Sequence, residues 1–201
     1  MPMRVAVCVS GRGSNLFALL EALAGSDRAE VVLVLSDRGD APALARARER
    51  GIPAFNLADY RDPEEWLARL GAAQVDLIVL AGYLKLVPST VISAYRDRIV
   101  NIHPALLPAF GGPGMYGRHV HEAVLRSGAA VSGATVHLVD EEYDRGAILA
   151  QAKVPVLPDD TPDTLAARVL RAEHTLLPAV VLKAAEMGHP VPIPEPVVLP
   201  A

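Results

Sequence analysis

Asn101 and His103 stand two apart in the run Ile99-Val100-Asn101-Ile102-His103, which Pro104 closes. Alternate residues of a strand share a face, so the carboxamide and the imidazole project to one side and Ile102 to the other. Pro104 biases His103 toward an extended backbone and ends the strand where open α/β sheets bind their ligands. An imidazole serves as acid, base or electrophile near neutral pH, and a carboxamide donates to a developing oxyanion without changing charge. The pair therefore fits attack on a carbonyl. The plainer alternative is an asparagine that caps a turn beside a hydrogen-bonded core histidine.

A histidine held in one tautomer or protonated needs a partner, usually a carboxylate. The turn Asp140-Glu141-Glu142-Tyr143-Asp144-Arg145-Gly146 carries four acids and is the richest source of one. Spacing does not say which acid it is, and such runs are also ordinary solvated loop tips. A second motif, Ser10-Gly11-Arg12-Gly13-Ser14-Asn15, follows an apolar run and opens a helical pattern. Free backbone N–H groups and the helix dipole favour an anion there. Leu16 stands where a dinucleotide fingerprint needs a third glycine, although Asp37 is placed as that fold's acidic residue is. No Gly-Lys-Ser/Thr sequence occurs. The loop reads as a site for one phosphate monoester, or else as a tight turn capped by Ser14 or Asn15. Cys8 reads as a small core residue, and His119 and His121 lack the neighbours of a zinc motif. No Gly-x-Ser-x-Gly elbow makes a nucleophile of Ser10 or Ser14.

The elements that must position these groups alternate in type. Short Val/Leu/Ile runs predict strands near Arg4 to Ser10, Glu30 to Ser36, Ala54 to Asn56, Leu77 to Ala81 and Ile99 to His103. Helical spacing predicts helices near Asn15 to Ala24, Pro42 to Arg50, Pro63 to Leu70 and Pro88 to Ala94. Strands apolar on both faces imply helices on both sides of a parallel sheet, so this half is doubly wound. Pro104 to Gly117 is too long for a passive connection. A helix near His119 to Ser127 follows, then strands Ser132 to Val139 and Ile148 to Val156, whose short link makes them antiparallel. Thr161-Pro162-Asp163 opens a long helix to about Met187, with Gly188 as its stop. Residues 1–188 read as a single domain, and 189–201, with five prolines, as an extended or fraying tail.

The chain has 201 residues, 51% of them hydrophobic and 21% charged, which suits one folded core and excludes a disordered chain. No apolar run approaches the roughly 18 residues of a spanning helix, and the first apolar block, Val5 to Val9, is too short for a signal segment. The expectation is a cytoplasmic protein with no membrane partner. A net charge of -4 argues against a nucleic-acid partner, and one cysteine excludes a disulfide framework or a Cys-rich metal site.

Six motifs in order resemble the phosphoribosylglycinamide formyltransferase family: Ser10 to Asn15, Leu80-Ala81-Gly82-Tyr83-Leu84, Asn101 to Pro108, Val136-His137-Leu138-Val139 with Asp144-Arg145-Gly146, Gln151 to Val156, and Glu173-His174. The likeness runs from Met3 to about Gly188. It implies a Rossmann-like, doubly wound, mostly parallel sheet extended by an antiparallel C-terminal hairpin. It also implies transfer of a formyl group from 10-formyltetrahydrofolate, as cosubstrate and without a metal, to the amine of 5'-phosphoribosylglycinamide in purine biosynthesis. By resemblance, Asn101, His103 and Asp144 are catalytic; the expected mechanism has His103, cationic when paired with Asp144, and the Asn101 carboxamide donate to the oxyanion, while a water near Asp144 relays the amine proton. Gly11, Arg12, Gly13, Ser14, Asn15, Arg61 and Glu173 bind the ribonucleotide, the glycine loop and Arg61 at its phosphate and Glu173 at its ribose. Leu84, Lys85, Leu86, Val87, Asp140, Glu141 and Asp144 border the folate, with Lys85 where arginine is frequent. The 110–118 loop is assigned substrate contact. The expected assembly is a monomer or homodimer. The alternative is a 10-formyltetrahydrofolate hydrolase, which uses similar groups with water as acceptor and usually carries a further N-terminal domain.

Overall fold

The computed structural model describes residues 1–194. Seven strands form one sheet: β1 (Met3–Val9), β2 (Ala29–Ser36), β3 (Ala54–Asn56), β4 (Leu77–Leu80), β5 (Ile99–His103), β6 (Val131–Leu138) and β7 (Ile148–Pro155). The helices are α1 (Ser14–Leu23), α2 (Pro42–Glu49), α3 (Pro63–Ala72), α4 (Ser89–Ala94), α5 (Arg118–Ser127) and α6 (Pro162–Met187). The order in the sheet is β3-β2-β1-β4-β5-β6-β7. β1 to β5 run parallel, and β6 and β7 are antiparallel additions on one side. This is the mostly parallel sheet with an antiparallel hairpin that the alternation of elements implies, and each element lies within two residues of its expected bounds.

The packing follows from period-two alternation in strands apolar on both faces. Val5, Val7 and Val9 of β1 enter a core with α1, α2, α5 and α6, while Ala6 and Cys8 enter a second core with α3 and α4. Cys8 is a buried free thiol there. α6 begins at a capping box in which the Thr161 hydroxyl accepts the Thr164 N–H and Thr164 Oγ1 accepts the Thr161 N–H. It ends at Gly188, whose positive φ lets the chain leave the helix.

The long connection after β5 is tied down. The Thr135 hydroxyl on β6 donates to Ala105 O at 2.7 Å and accepts the Leu107 N–H and the Gln151 amide, each at 3.0 Å. Gly133 lies so close to the Ala152 carbonyl of β7 that a Cβ would collide with it. The start of the proline-rich tail also has a partner: the Ile193 N–H donates to Leu149 O on β7 at 2.7 Å. Pro190, Pro192 and Pro194, which have no N–H, alternate with Val191 and Ile193. The rest of the tail, 195–201, lies outside the described residues. Among the described residues no helix is long and apolar enough to cross a membrane.

Candidate active site

Strand order reverses between β1 and β4, since β2 and β3 follow on one side of β1 and β5 on the other. Crevices at such a switch point, beyond the carboxyl ends of the strands, are where open α/β sheets take ligands. The glycine turn after β1, the 82–87 segment after β4 and Asn101 to Pro104 at the end of β5 all open there. One strand separates β1 from β5, so the glycine turn and the Asn-His pair are roughly 10 Å apart. Both line one cleft of about 900 Å³, with Arg12, Ser14 and Asn15 from the turn, Leu84, Leu86 and Val87, and Tyr143, Asp144 and Glu173.

The glycine turn is capped by no side chain. Gly13 is the N-cap of α1 with φ 74°, and no side-chain hydrogen bond closes the helix end. The turn capped by Ser14 or Asn15 is therefore not formed, and the first N–H groups of α1 stay available. The two glycines have different reasons. A Cβ on Gly13 would lie 2.7 Å from Ala43 of α2, whereas the same position on Gly11 meets nothing within 4 Å. Gly11 faces open space, but neither glycine lines the cleft, which the turn enters through Arg12, Ser14 and Asn15.

At the end of β5, the buried His103 places Nε2 2.8 Å from Phe110 O and Nδ1 3.6 Å from Asp144 Oδ2. A carbonyl only accepts, so the ring proton sits on Nε2 and Nδ1 faces the carboxylate. Burial lowers the pKa of His103, outweighing Asp144 and the Phe110 carbonyl, which raise it, and His137 lowers it too. Burial and the Asp144 carboxylate thus act in opposite directions on the charge of this ring. Burial pushes Asp144 the other way, but His137, His103 and the Gly112 N–H together hold the carboxyl below its usual range. The Gly112 bond is 2.9 Å, and both Asp144 and Phe110 have left-handed backbones, with φ 57° and 56°. Such conformations outside glycine are sustained only where surroundings impose them.

His137 receives no role from its sequence position, yet β5–β6 register sets it opposite Asn101. Its Nδ1 donates to Leu138 O at 2.7 Å, so in the neutral ring Nε2 accepts from Asn101 Nδ2 at 3.0 Å. That leaves one Asn101 N–H for the cleft. Asp144 Oδ1 is 3.5 Å from the same Nε2. The signal in the sequence is a single polar ring at a strand position between Val136 and Leu138.

Asn15 and Glu173 meet across α1 and α6, with Asn15 Nδ2 donating to Glu173 Oε2 at 2.7 Å. The Asn15 Oδ1 is buried without a partner. Burial pushes the Glu173 carboxyl up to about 7, and the Asn15 bond only partly opposes it. The folded state therefore holds a proton that the unfolded chain releases near the ordinary carboxyl pKa, and stability falls as pH rises between those two values. Glu173→Gln is expected to melt several degrees above the wild type at pH 8, with the gain vanishing near pH 5; scanning calorimetry at both values checks this.

Five expected residues do not line this cleft: Gly11, Gly13, Arg61, Lys85 and Glu141. Arg61 is exposed, its guanidinium 4.9 Å from the Tyr60 ring centre, and Lys85 Nζ lies 5.3 Å from the same ring. Glu141 is exposed and faces a smaller hollow beside Pro108 and Arg145. Asp140 does line the cleft, and so does the buried His121. From the 110–118 loop, Gly112 to Arg118 line it as well. Among the described residues no group of three or more His, Cys, Asp or Glu side chains could hold a metal ion.

The formyl transferase family model matches residues 3–181. The chain is 48% identical over 186 residues to a chloroplastic phosphoribosylglycinamide formyltransferase of Arabidopsis thaliana, covering 89% of this chain and 64% of that protein. It thus spans about three fifths of the length of the plant relatives it matches. It is 37% identical to the phosphoribosylglycinamide formyltransferase of Escherichia coli (strain K12), with 89% of this chain and 85% of that protein covered. Among solved structures it resembles phosphoribosylglycinamide formyltransferase from Anaplasma phagocytophilum, with TM-score 0.86, 37% identity, and 93% and 88% of the two chains covered. A formyltetrahydrofolate deformylase from Pseudomonas syringae is more distant, at TM-score 0.79 and 26% identity over 93% of this chain and 62% of the other.

Proposed function

Since the chain belongs to the phosphoribosylglycinamide formyltransferase family of the formyl transferases, we propose that it moves the formyl group of 10-formyltetrahydrofolate onto the amine of 5'-phosphoribosylglycinamide. The observation that carries this reading is the meeting of Asn101, His103 and Asp144 in a cleft that the glycine turn also enters. The turn takes the phosphate on the free N–H groups of α1, with Arg12 beside it. Glu173, held by Asn15, takes the ribose hydroxyls. Two strand spacings, roughly 10 Å, then separate the phosphate from Asn101, a span that an extended sugar phosphate with a glycyl arm bridges. The apolar side chains of Leu84, Leu86 and Val87, with the 140–144 turn, suit the flat ring of a folate.

The amine lone pair attacks the formyl carbon, and the carbonyl oxygen becomes an oxyanion. The free Asn101 N–H and the His103 Nε2–H supply donors, the latter by exchanging Phe110 O for the substrate. The attacking nitrogen sheds a proton, which a water beside Asp144 relays to His103 Nδ1 on the far side of the ring, where the carboxylate holds it. The bond from carbon to the folate nitrogen breaks, and that nitrogen takes the proton back, leaving formylated product and tetrahydrofolate. The reading places this chemistry in the cytoplasm and in a monomer or homodimer.

The test is to follow loss of the formyl group from 10-formyltetrahydrofolate with and without phosphoribosylglycinamide. Release that depends on the ribonucleotide is expected. Equal release without it identifies the hydrolase instead, and no release under either condition removes the reading.

A further inference from the structure

Asp37 stands just past the end of β2, where its carboxylate is engaged inside the protein. Ser10 Oγ donates its hydrogen to Asp37 Oδ1 at 2.5 Å, and the same oxygen accepts the Leu84 N–H at 3.0 Å. The Ser10 N–H donates to Gly82 O at 3.0 Å, and the Ala81 N–H to Cys8 O at 2.9 Å. Ser10 is only 4% exposed. A hydroxyl has one hydrogen and two lone pairs, so an acceptor that fixes the hydrogen also fixes which way the lone pairs face. Asp37 thereby turns Ser10 into an acceptor for Leu84. Ser10 immediately precedes the glycine turn, and Leu84 belongs to the apolar segment beside it, after the neighbouring strand β4. One buried serine joins the turn to that segment, and Asp37 sets its orientation from outside the cleft lining.

We propose that Asp37 is a positioning residue for formyl transfer: through the Ser10 hydroxyl it holds the 82–87 segment in register with the glycine turn, and so fixes where the formyl donor lies relative to the amine. This rests on the formyl-transfer reading. Asp37 touches neither substrate, and its effect falls on the donor side, because the bond it orients ends at Leu84.

Trp66, the one tryptophan of the chain, allows a check that needs no turnover. It is fully buried and packs edge-on against Tyr83 of the same segment, with ring centres 5.7 Å apart at 88°. The experiment compares Asp37→Ala, Asp37→Asn and Ser10→Ala by steady-state kinetics with each substrate varied, by melting temperature and by Trp66 emission. Asp37→Ala and Ser10→Ala are expected to raise KM for 10-formyltetrahydrofolate about tenfold, the loss of one orienting hydrogen bond at a buried serine. KM for the ribonucleotide and the melting temperature stay near wild type, and Trp66 emission changes. Asp37→Asn keeps an oxygen acceptor and is expected to behave as wild type in all four. An unchanged donor KM in Asp37→Ala overturns the proposal, as does a rise shared equally by both KM values with a lowered melting temperature. Should the wild type transfer no formyl group, the functional reading fails by itself, and an unchanged Trp66 emission in Asp37→Ala then overturns the link to the segment.

Discussion

Asn101→Ala is expected to lower the turnover number for formyl transfer by about 10²- to 10³-fold, the usual loss when one oxyanion donor is removed from a preorganised site. The side chain is held in place before substrate arrives: one N–H of the carboxamide is given to His137 Nε2 at 3.0 Å, which fixes the plane of the group and the direction of the other. Preorganisation of this kind is what makes a neutral donor effective, because no reorientation accompanies the growth of charge. On the proposed reading the ribonucleotide is held by the glycine turn and Glu173 rather than by Asn101, so its Kd, measured by calorimetry, is expected to stay close to wild type. Asn101→Asp keeps the shape but sets a negative charge against the oxyanion, and it is expected to lose more than the alanine variant. Near-normal turnover in Asn101→Ala would remove the residue from the catalytic assignment.

Local pattern carried the architecture because the strands are short, bounded by Gly, Pro or Asp, and buried on both faces. β1 shows this: Val5 to Val9 is continuous and apolar, and its two faces feed two different cores. The alternation of Asn101, Ile102 and His103 was legible for the same reason. What period-two reasoning does not supply is register between segments far apart in the chain. His137 is 36 residues from Asn101 and becomes its neighbour only through the β5–β6 ladder. Choosing Asp144 among four acids likewise depends on a left-handed residue and on the Gly112 N–H, features of the folded loop that composition does not announce. Gly13 is a further case, since its need for glycine comes from a left-handed φ and from Ala43, 30 residues away in sequence, 2.7 Å from where its Cβ would lie.

Asp144→Asn tests the balance of burial and carboxylate at His103 and is expected to cost at least about 10³-fold in turnover, in line with isosteric removal of a carboxylate that stabilises an imidazolium. The substitution keeps an oxygen that accepts the Gly112 N–H, so the 110–112 loop retains its anchor and the change isolates charge. In the wild type, burial lowers the pKa of His103 and Asp144 opposes it. Without the carboxylate the opposition disappears, the imidazolium becomes harder to form at Nδ1, and the proton shed by the attacking amine has no favourable resting place. The sign of the pH effect follows. His103 must be neutral to accept that proton, so activity declines as pH falls through its pKa. In Asp144→Asn that pKa is lower still, and the acid limb of the kcat profile is expected to move to more acid pH while the plateau drops. A titration of His103 by NMR should move in the same direction. An acid limb that stays where it is, or moves toward alkaline pH, would mean that Asp144 does not act through His103, and the proton path drawn from the 3.6 Å approach of the two groups would have to be abandoned.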